Sequence, residues 1–175
     1  QLPELVDECG TDSLDGIVLF DQLGRLEQPE DLFRAAETCL KPGARLAMIE
    51  PGISLLSLPF YYCLDQRRID FSHAPLDNRA ARHGQPGNLA TASHLINFME
   101  HRIDLMERFP QLHSVRQEWL SILSGPLCRG IAGHSLLPES FLHPLLALED
   151  SLMPFIGRWS ASKLYIVFEK RLPSD

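Results

Sequence analysis

The period of the apolar positions changes twice within the first fifty residues of this chain. Ile17-Val18-Leu19-Phe20 is an unbroken apolar run, the pattern of a strand covered on both faces in a parallel sheet. Leu32, Phe33, Ala36 and Leu40 then recur at helical spacing. Pro29 suits the first turn of that helix, where its missing N–H costs nothing, and Glu30 and Asp31 suit the positive end of the helix dipole. Lys41-Pro42-Gly43 stops the helix and turns the chain, with Pro and Gly where a type II turn favours them. Leu46 to Ile49 is the second strand, ended by Pro51. Strand, helix and strand with short loops predict a right-handed, parallel β-α-β unit. Asp21 and Glu50 then end neighbouring strands, on the edge where α/β sheets bind ligands.

The rest of the chain is less regular. Residues 1–15 carry acids and few apolar positions and are expected to run over the surface. Leu55 to Leu64 is apolar and aromatic, a short helix or lid segment, and residues 72–90 hold Pro75, Gly84, Pro86 and Gly87 in a long loop. Together residues 52–90 read as a lid-like insertion in a single domain spanning 1–175, because loops of that length in a compact domain are usually functional or mobile. Residues 91–108 predict one amphipathic helix with Leu95, Phe98, Met99, Ile103 and Met106 on one side, ended by Pro110. Phe98, Met99, Met106 and Trp119 are expected in the core. Val115 to Leu120 predicts a strand with imperfect alternation, and Pro138 and Glu139 open a helix to about Leu152. Trp159 is expected to pack from a loop before a last strand, Lys163 to Glu169. No repeat or low-complexity tract is visible.

Length and composition narrow the class. The chain has 175 residues, 45% apolar and 22% charged, which suits one soluble globular domain. The net charge is −7 without any run of Lys or Arg, which excludes an electrostatic grip on nucleic acid or anionic lipid; Arg67-Arg68 reads as a solvated loop. Cys9, Cys39, Cys63 and Cys128 form no C-x-x-C pair, so neither a cysteine zinc site nor a disulfide scaffold is expected. Cys39 and Cys63 are expected as buried, reduced thiols. No apolar stretch reaches the roughly 18 residues of a membrane span, and no signal sequence opens the chain. A reduced, cytoplasmic setting is the expectation.

The order of these segments resembles a known family. Ser13-Leu14-Asp15-Gly16-Ile17-Val18-Leu19-Phe20-Asp21 is similar to the fourth strand of class I S-adenosylmethionine-dependent methyltransferases, of the type 11 kind. Gln22-Leu23-Gly24-Arg25-Leu26 resembles the D-x-L-H-H-L turn that follows, with Gly24 and Arg25 at the two histidine positions. Lys41-Pro42-Gly43-Ala44-Arg45-Leu46 resembles the L-K-P-G-G-x-L hairpin before the fifth strand. Glu50-Pro51, Ser54 and Pro59-Phe60-Tyr61-Tyr62, with Leu136-Leu137-Pro138 and the closing strand, resemble a subgroup with a lid-like insertion. The family's first strand, glycine-rich loop and ribose-binding acid match nothing here and would lie upstream of residue 1. The sequence contains no G-x-G-x-x-G; Gly130 and Gly133, the nearest pair, follow no convincing strand.

The resemblance implies S-adenosylmethionine as cofactor, with Asp12 and Ser13 on the adenine side and Phe20, Asp21 and Gln22 beside the methionine portion. An exposed capped turn and a plain strand-end carboxylate are the structural alternatives. Glu50 is a candidate to orient or deprotonate an acceptor, against a buried or loop-capping Glu. Asp70 and His73, three apart, are a candidate acid–base pair, against a solvated loop. His94 and His101 share a helix face without a third ligand, so no metal is expected. His134 and Ser135 lack the G-x-S-x-G context of a hydrolase.

The expected fold is α/β: a partial Rossmann-like methyltransferase sheet, mostly parallel with an antiparallel C-terminal strand and helices on both faces. The Ile17–Phe20 edge is left exposed, a liability unless covered, and is expected to pair with a missing N-terminal part, a second copy or an unrelated segment. The expected function is the acceptor-side half of a methyltransferase acting on a small-molecule or glycan-like acceptor, weakly active or inactive alone. The alternative is a non-catalytic methyltransferase-like binding or scaffold module.

Overall fold

A computed structural model describes residues 9–64, 68–72, 74–76, 88–121 and 138–172. Its first unit is the one the periodicity predicts. Strand β1 (Leu14–Phe20) leads through one 3₁₀ turn (Leu23–Arg25) into helix α1 (Pro29–Cys39) and then β2 (Leu40–Pro51). The strands are parallel, in register from Ile17↔Leu46 to Phe20↔Ile49. Leu14 pairs with Leu40 but Gly16 with Arg45, so Lys41-Pro42-Gly43 forms a bulge at the start of β2. Gly43 takes φ +80° there, a conformation open to glycine because it lacks a Cβ.

Helix α2 (Ser57–Leu64), α3 (Thr91–Asn97), α4 (Met99–Arg108), β3 (Leu112–Leu120), α5 (Glu139–Ser160) and β4 (Lys163–Lys170) follow. The four-stranded sheet has the order β1-β2-β4-β3, and β4 runs antiparallel to both of its neighbours. This corrects the expectation of a mostly parallel sheet. Three strands point the same way, but the reversed β4 lies between two of them, so two of the three pairings are antiparallel.

Three of the helices pack on one face of this sheet. Leu46 and Met48 of β2, Leu164, Ile166 and Phe168 of β4, and Leu112 of β3 meet Leu32, Phe33 and Ala36 of α1, Ala92, Leu95 and Ile96 of α3, and Leu105 of α4 in one core. Alternation along a strand puts these positions on one side, so α1, α3 and α4 share a face. On the other face Val18 is 82% and Phe20 60% exposed. β1 is therefore apolar on both sides, as a doubly covered strand would be, yet among the described residues only Leu14, Ile17 and Leu19 of this strand pack against the core.

Three further sequence expectations change. Residues 91–108 form two helices, because Phe98 is extended (φ −101°, ψ 120°). That break shifts the helical phase, so Leu105 is buried in α4 while Met99, Ile103 and Met106, with Phe98 itself, are exposed. Helix α5 runs on to Ser160 through Pro144 and Pro154; Trp159 sits in its last turn and is exposed, whereas Trp119 packs against the core as expected. Cys39 is buried but Cys63 is exposed. No helix of the described residues is long and apolar enough to cross a membrane.

Candidate functional site

The carboxyl ends of β1 and β2 lie side by side: the Asp21 N–H donates to the Ile49 carbonyl at 2.8 Å. Asp21 is buried and has φ +54°, in the left-handed region that non-glycine side chains seldom enter. Strain of this kind costs on the order of 1–3 kcal/mol and gathers at functional sites. It turns the chain directly out of the strand into the 3₁₀ turn.

Glu50 holds that turn. It is fully buried, and its Oε1 accepts from the Gln22 N–H at 2.9 Å and the Leu23 N–H at 3.0 Å. Those amides open the 3₁₀ turn and have no earlier carbonyl to reach. The carboxylate thus caps from the next strand what no local side chain caps. Burial pushes the Glu50 carboxyl above its ordinary range, and neighbouring Asp21 adds to this; the two backbone donors and Lys163 oppose it. Its Oε2 is buried with no hydrogen-bond partner among the described residues. On the open face Lys163 Nζ lies 5.4 Å from the Phe20 ring centroid, within cation–π range.

The chain after β2 is held by serines. Ser54 and Ser57 exchange bonds, the Ser54 N–H to Ser57 Oγ at 2.8 Å and the Ser57 N–H to Ser54 Oγ at 3.2 Å, a reciprocal cap on α2. The Ile53 N–H donates to Ser93 Oγ at 2.7 Å, and the Tyr61 hydroxyl donates to the Ser162 carbonyl. All four serines are buried. The S-x-x-S spacing before an apolar run signals the cap; nothing in the sequence signals Ser93 or Ser162.

Gly24 has a steric reason. A Cβ on it would lie 2.1 Å from the Asn88 carbonyl oxygen, so the 3₁₀ turn and the foot of α3 touch backbone to backbone. Asn88 in turn accepts from the Asp70 N–H at 3.0 Å and donates to the Asp70 carbonyl at 2.7 Å. The position where the resembled family carries histidine is filled here by close packing.

The residues singled out in the sequence therefore separate into groups. Phe20, Asp21, Gln22 and Glu50 come together. Asp12 and Ser13 lie beyond the other end of the seven-residue β1, about 23 Å away at strand rise. There Asp12 Oδ1 accepts from Lys170 Nζ at 2.7 Å and Ser13 Oγ donates to the Gly10 carbonyl at 3.1 Å. Asp70 turns its Oδ1 to Ser72, accepting from N at 2.8 Å and Oγ at 2.5 Å. His73, His134 and Ser135 lie outside the described residues. His94 and His101 do meet, Nε2 to Nε2 at 3.0 Å, across the helix break. No group of three metal-ligating side chains occurs among the described residues.

No family model matches this chain, and no curated protein matches it. Among solved structures, it is similar to a SAM-dependent methyltransferase from Archaeoglobus fulgidus at a TM-score of 0.49 and 16% identity, covering 97% of this chain and 65% of that one. An S-adenosylmethionine-dependent methyltransferase from Mesorhizobium loti gives a TM-score of 0.42 at 14% identity, over 91% of this chain and 64% of that one. A Haemonchus contortus phosphoethanolamine N-methyltransferase in complex with S-adenosyl-L-methionine gives 0.42 at 11% identity, over 93% of this chain and 34% of that one. The chain spans less than two-thirds of the length of each of these proteins.

Proposed function

We propose that this chain is the acceptor-side half of an S-adenosylmethionine-dependent methyltransferase domain, acting on a small-molecule or glycan-like acceptor. One observation carries the reading. The segments that resemble the family's fourth and fifth strands are parallel neighbours, with Asp21 and Glu50 adjacent at their carboxyl ends, and the closing strand inserts antiparallel beside them. That is the order and direction the resemblance implies.

The residues present fit part of the cofactor. A strained, buried carboxylate at a strand end, beside an exposed aromatic ring, suits the wall against which a methionine portion rests. The sequence supplies no glycine-rich cradle for the rest of it, so no complete site is built from this chain alone. S-adenosylmethionine, when bound, supplies an activated methyl group moved by in-line displacement, a reaction in which orientation provides most of the rate. In this reading Glu50 acts through position: it fixes the Gln22 and Leu23 amides and through them the direction of Asp21. Asp21 and Phe20 face the ligand, and the segment anchored by Asn88, Asp70 and the serines forms the acceptor side. The free edge of β1, paired only with β2 among the described strands, is where the complementary half would add its strand.

The competing reading, a non-catalytic module of the same architecture, is favoured by Gly24 and Arg25 at the two histidine positions of the resembled turn. Calorimetric titration of the chain with S-adenosylmethionine separates the two. Heat of binding that disappears in Asp21→Ala supports the half-site. No heat up to millimolar cofactor, with the chain folded, is what the scaffold reading expects.

A further inference from the structure

Helix α5 carries an apolar seam that nothing else in the proposed function uses. Phe141, Leu145, Leu148, Leu152, Phe155 and Trp159 recur at alternating spacings of four and three, the repeat of a helix that packs along another helix. In the structure that seam points outward: Phe141 is 62%, Phe155 81% and Trp159 60% exposed, and Leu148 and Leu152 are exposed as well. The flank beside it, with Glu149, Gly157 and Ser160 buried, is the side turned to the protein. A 22-residue helix interrupted by Pro144 and Pro154 draws its stability from packing rather than propensity.

We infer that α5 is a homodimerisation helix, packing antiparallel against α5 of a second copy of this chain about a two-fold axis beside Asp150. The seam is self-complementary about that point. Inverting it sets Phe141 against Trp159 of the second copy, Leu145 against Phe155, and Leu148 against Leu152, so every seam residue meets another seam residue. This is the requirement of an isologous contact, in which residue i meets j and j meets i. The bulky aromatics fall at both ends and the leucines at the axis, and opposed helix dipoles favour the antiparallel sense.

The area also suits a dimer. Taking about 200 Å² for an aromatic side chain, the three aromatics expose on the order of 400 Å². Leu55 and Leu56 extend the patch, since the Leu56 N–H donates to the Trp159 carbonyl at 3.2 Å. With these and the exposed seam leucines the patch reaches roughly 700 Å², near the ~800 Å² per partner of a standard stable interface and above the largest patch of an ordinary monomer. Charge argues against a lipid surface: Arg158 is the only Lys or Arg in the helix, against Glu139, Glu149 and Asp150, where an interfacial helix is basic on its polar face.

The test is sedimentation equilibrium of the whole chain at about 10–100 μM, with three variants. The dimer is expected in the unaltered chain and in Val18→Glu, and Phe155→Glu is expected to raise the dissociation constant at least 100-fold with an unchanged circular dichroism spectrum. Ser151→Cys, close to the axis, is expected to oxidise to a disulfide-linked dimer whose linked peptide contains position 151 twice. That result decides the matter even if Phe155→Glu misfolds. A monomer at 100 μM overturns the inference. So does a dimer that resists Phe155→Glu but is lost in Val18→Glu, or a monomer that floats with phosphatidylcholine vesicles.

Discussion

Replacing Glu50 by Ala removes the one carboxylate that joins the ends of the two parallel strands. Two backbone donors, the N–H groups of Gln22 and Leu23, lose their acceptor. Leaving a buried donor unpaired costs about 1–3 kcal/mol. The Leu23 bond is buried and the Gln22 bond partly so. Relief of the carboxylate's own desolvation returns part of the loss, and a net destabilisation of about 2–4 kcal/mol remains. Glu50→Gln keeps an oxygen for both amides and removes the charge, so it is expected to stay within about 1 kcal/mol of the parent at neutral pH. The two variants also differ with pH. Burial raises the folded-state value of Glu50 above its ordinary 4.5, so its contribution to stability is complete below that value and is lost as pH rises through the folded one. The parent should therefore lose stability on going from pH 4.5 towards neutrality through this group, and Glu50→Gln should lack that component. Urea unfolding, read as the midpoint at constant slope, measures both effects. The reasoning fails if Glu50→Ala matches the parent within 0.5 kcal/mol, or if Glu50→Gln is equally damaging.

Further outcomes follow from particular contacts. Gly24→Ala pushes a Cβ to within 2.1 Å of the Asn88 carbonyl oxygen; it should destabilise by at least about 1–3 kcal/mol and loosen residues 68–72 and 88–91 together in hydrogen exchange. Asp12→Ala strips the partner from Lys170, whose side chain is buried; a loss of about 1–2 kcal/mol in urea is expected, reduced because Asp12 is itself half exposed. Asp21→Gly should stabilise the fold by about 1 kcal/mol through release of positive-φ strain while abolishing any cofactor binding, a divergence that unfolding and calorimetry detect. Towards a thiol reagent at pH 8, exposed Cys63 should react quickly and Cys39 slowly, because burial raises the Cys39 thiol and shields it.

The β-α-β unit was legible because its cues are local: an apolar run, a helical spacing with Pro29 at its start, and a Pro-Gly stop. Adjacency of Asp21 and Glu50 followed from strand direction alone. A buried, loop-capping Glu50 was one of the sequence readings and is what the structure shows; which turn it caps was not legible, since its partners are amides some 28 residues away, and backbone donors leave no mark in a sequence. The single-helix reading of residues 91–108 failed at Phe98, an ordinary helix residue that tertiary contacts with His94 and His101 accompany into an extended conformation. Counting strand directions predicted a mostly parallel sheet, but with β4 inserted between β2 and β3 two of the three pairings are antiparallel. Gly24 looked like a lost histidine and is a packing requirement.

The central claim is that the strand ends at Phe20–Leu23 and Glu50 form one wall of an S-adenosylmethionine site. Its most direct test is a ¹⁵N-NMR titration of the chain with S-adenosylhomocysteine to millimolar concentration. The account predicts saturable shifts of the Asp21, Gln22 and Leu23 amides, which are lost in Asp21→Ala, while the Asp12 and Ser13 amides stay still. Unmoved Asp21–Leu23 amides, or shifts centred on Asp12 and Ser13, would contradict it.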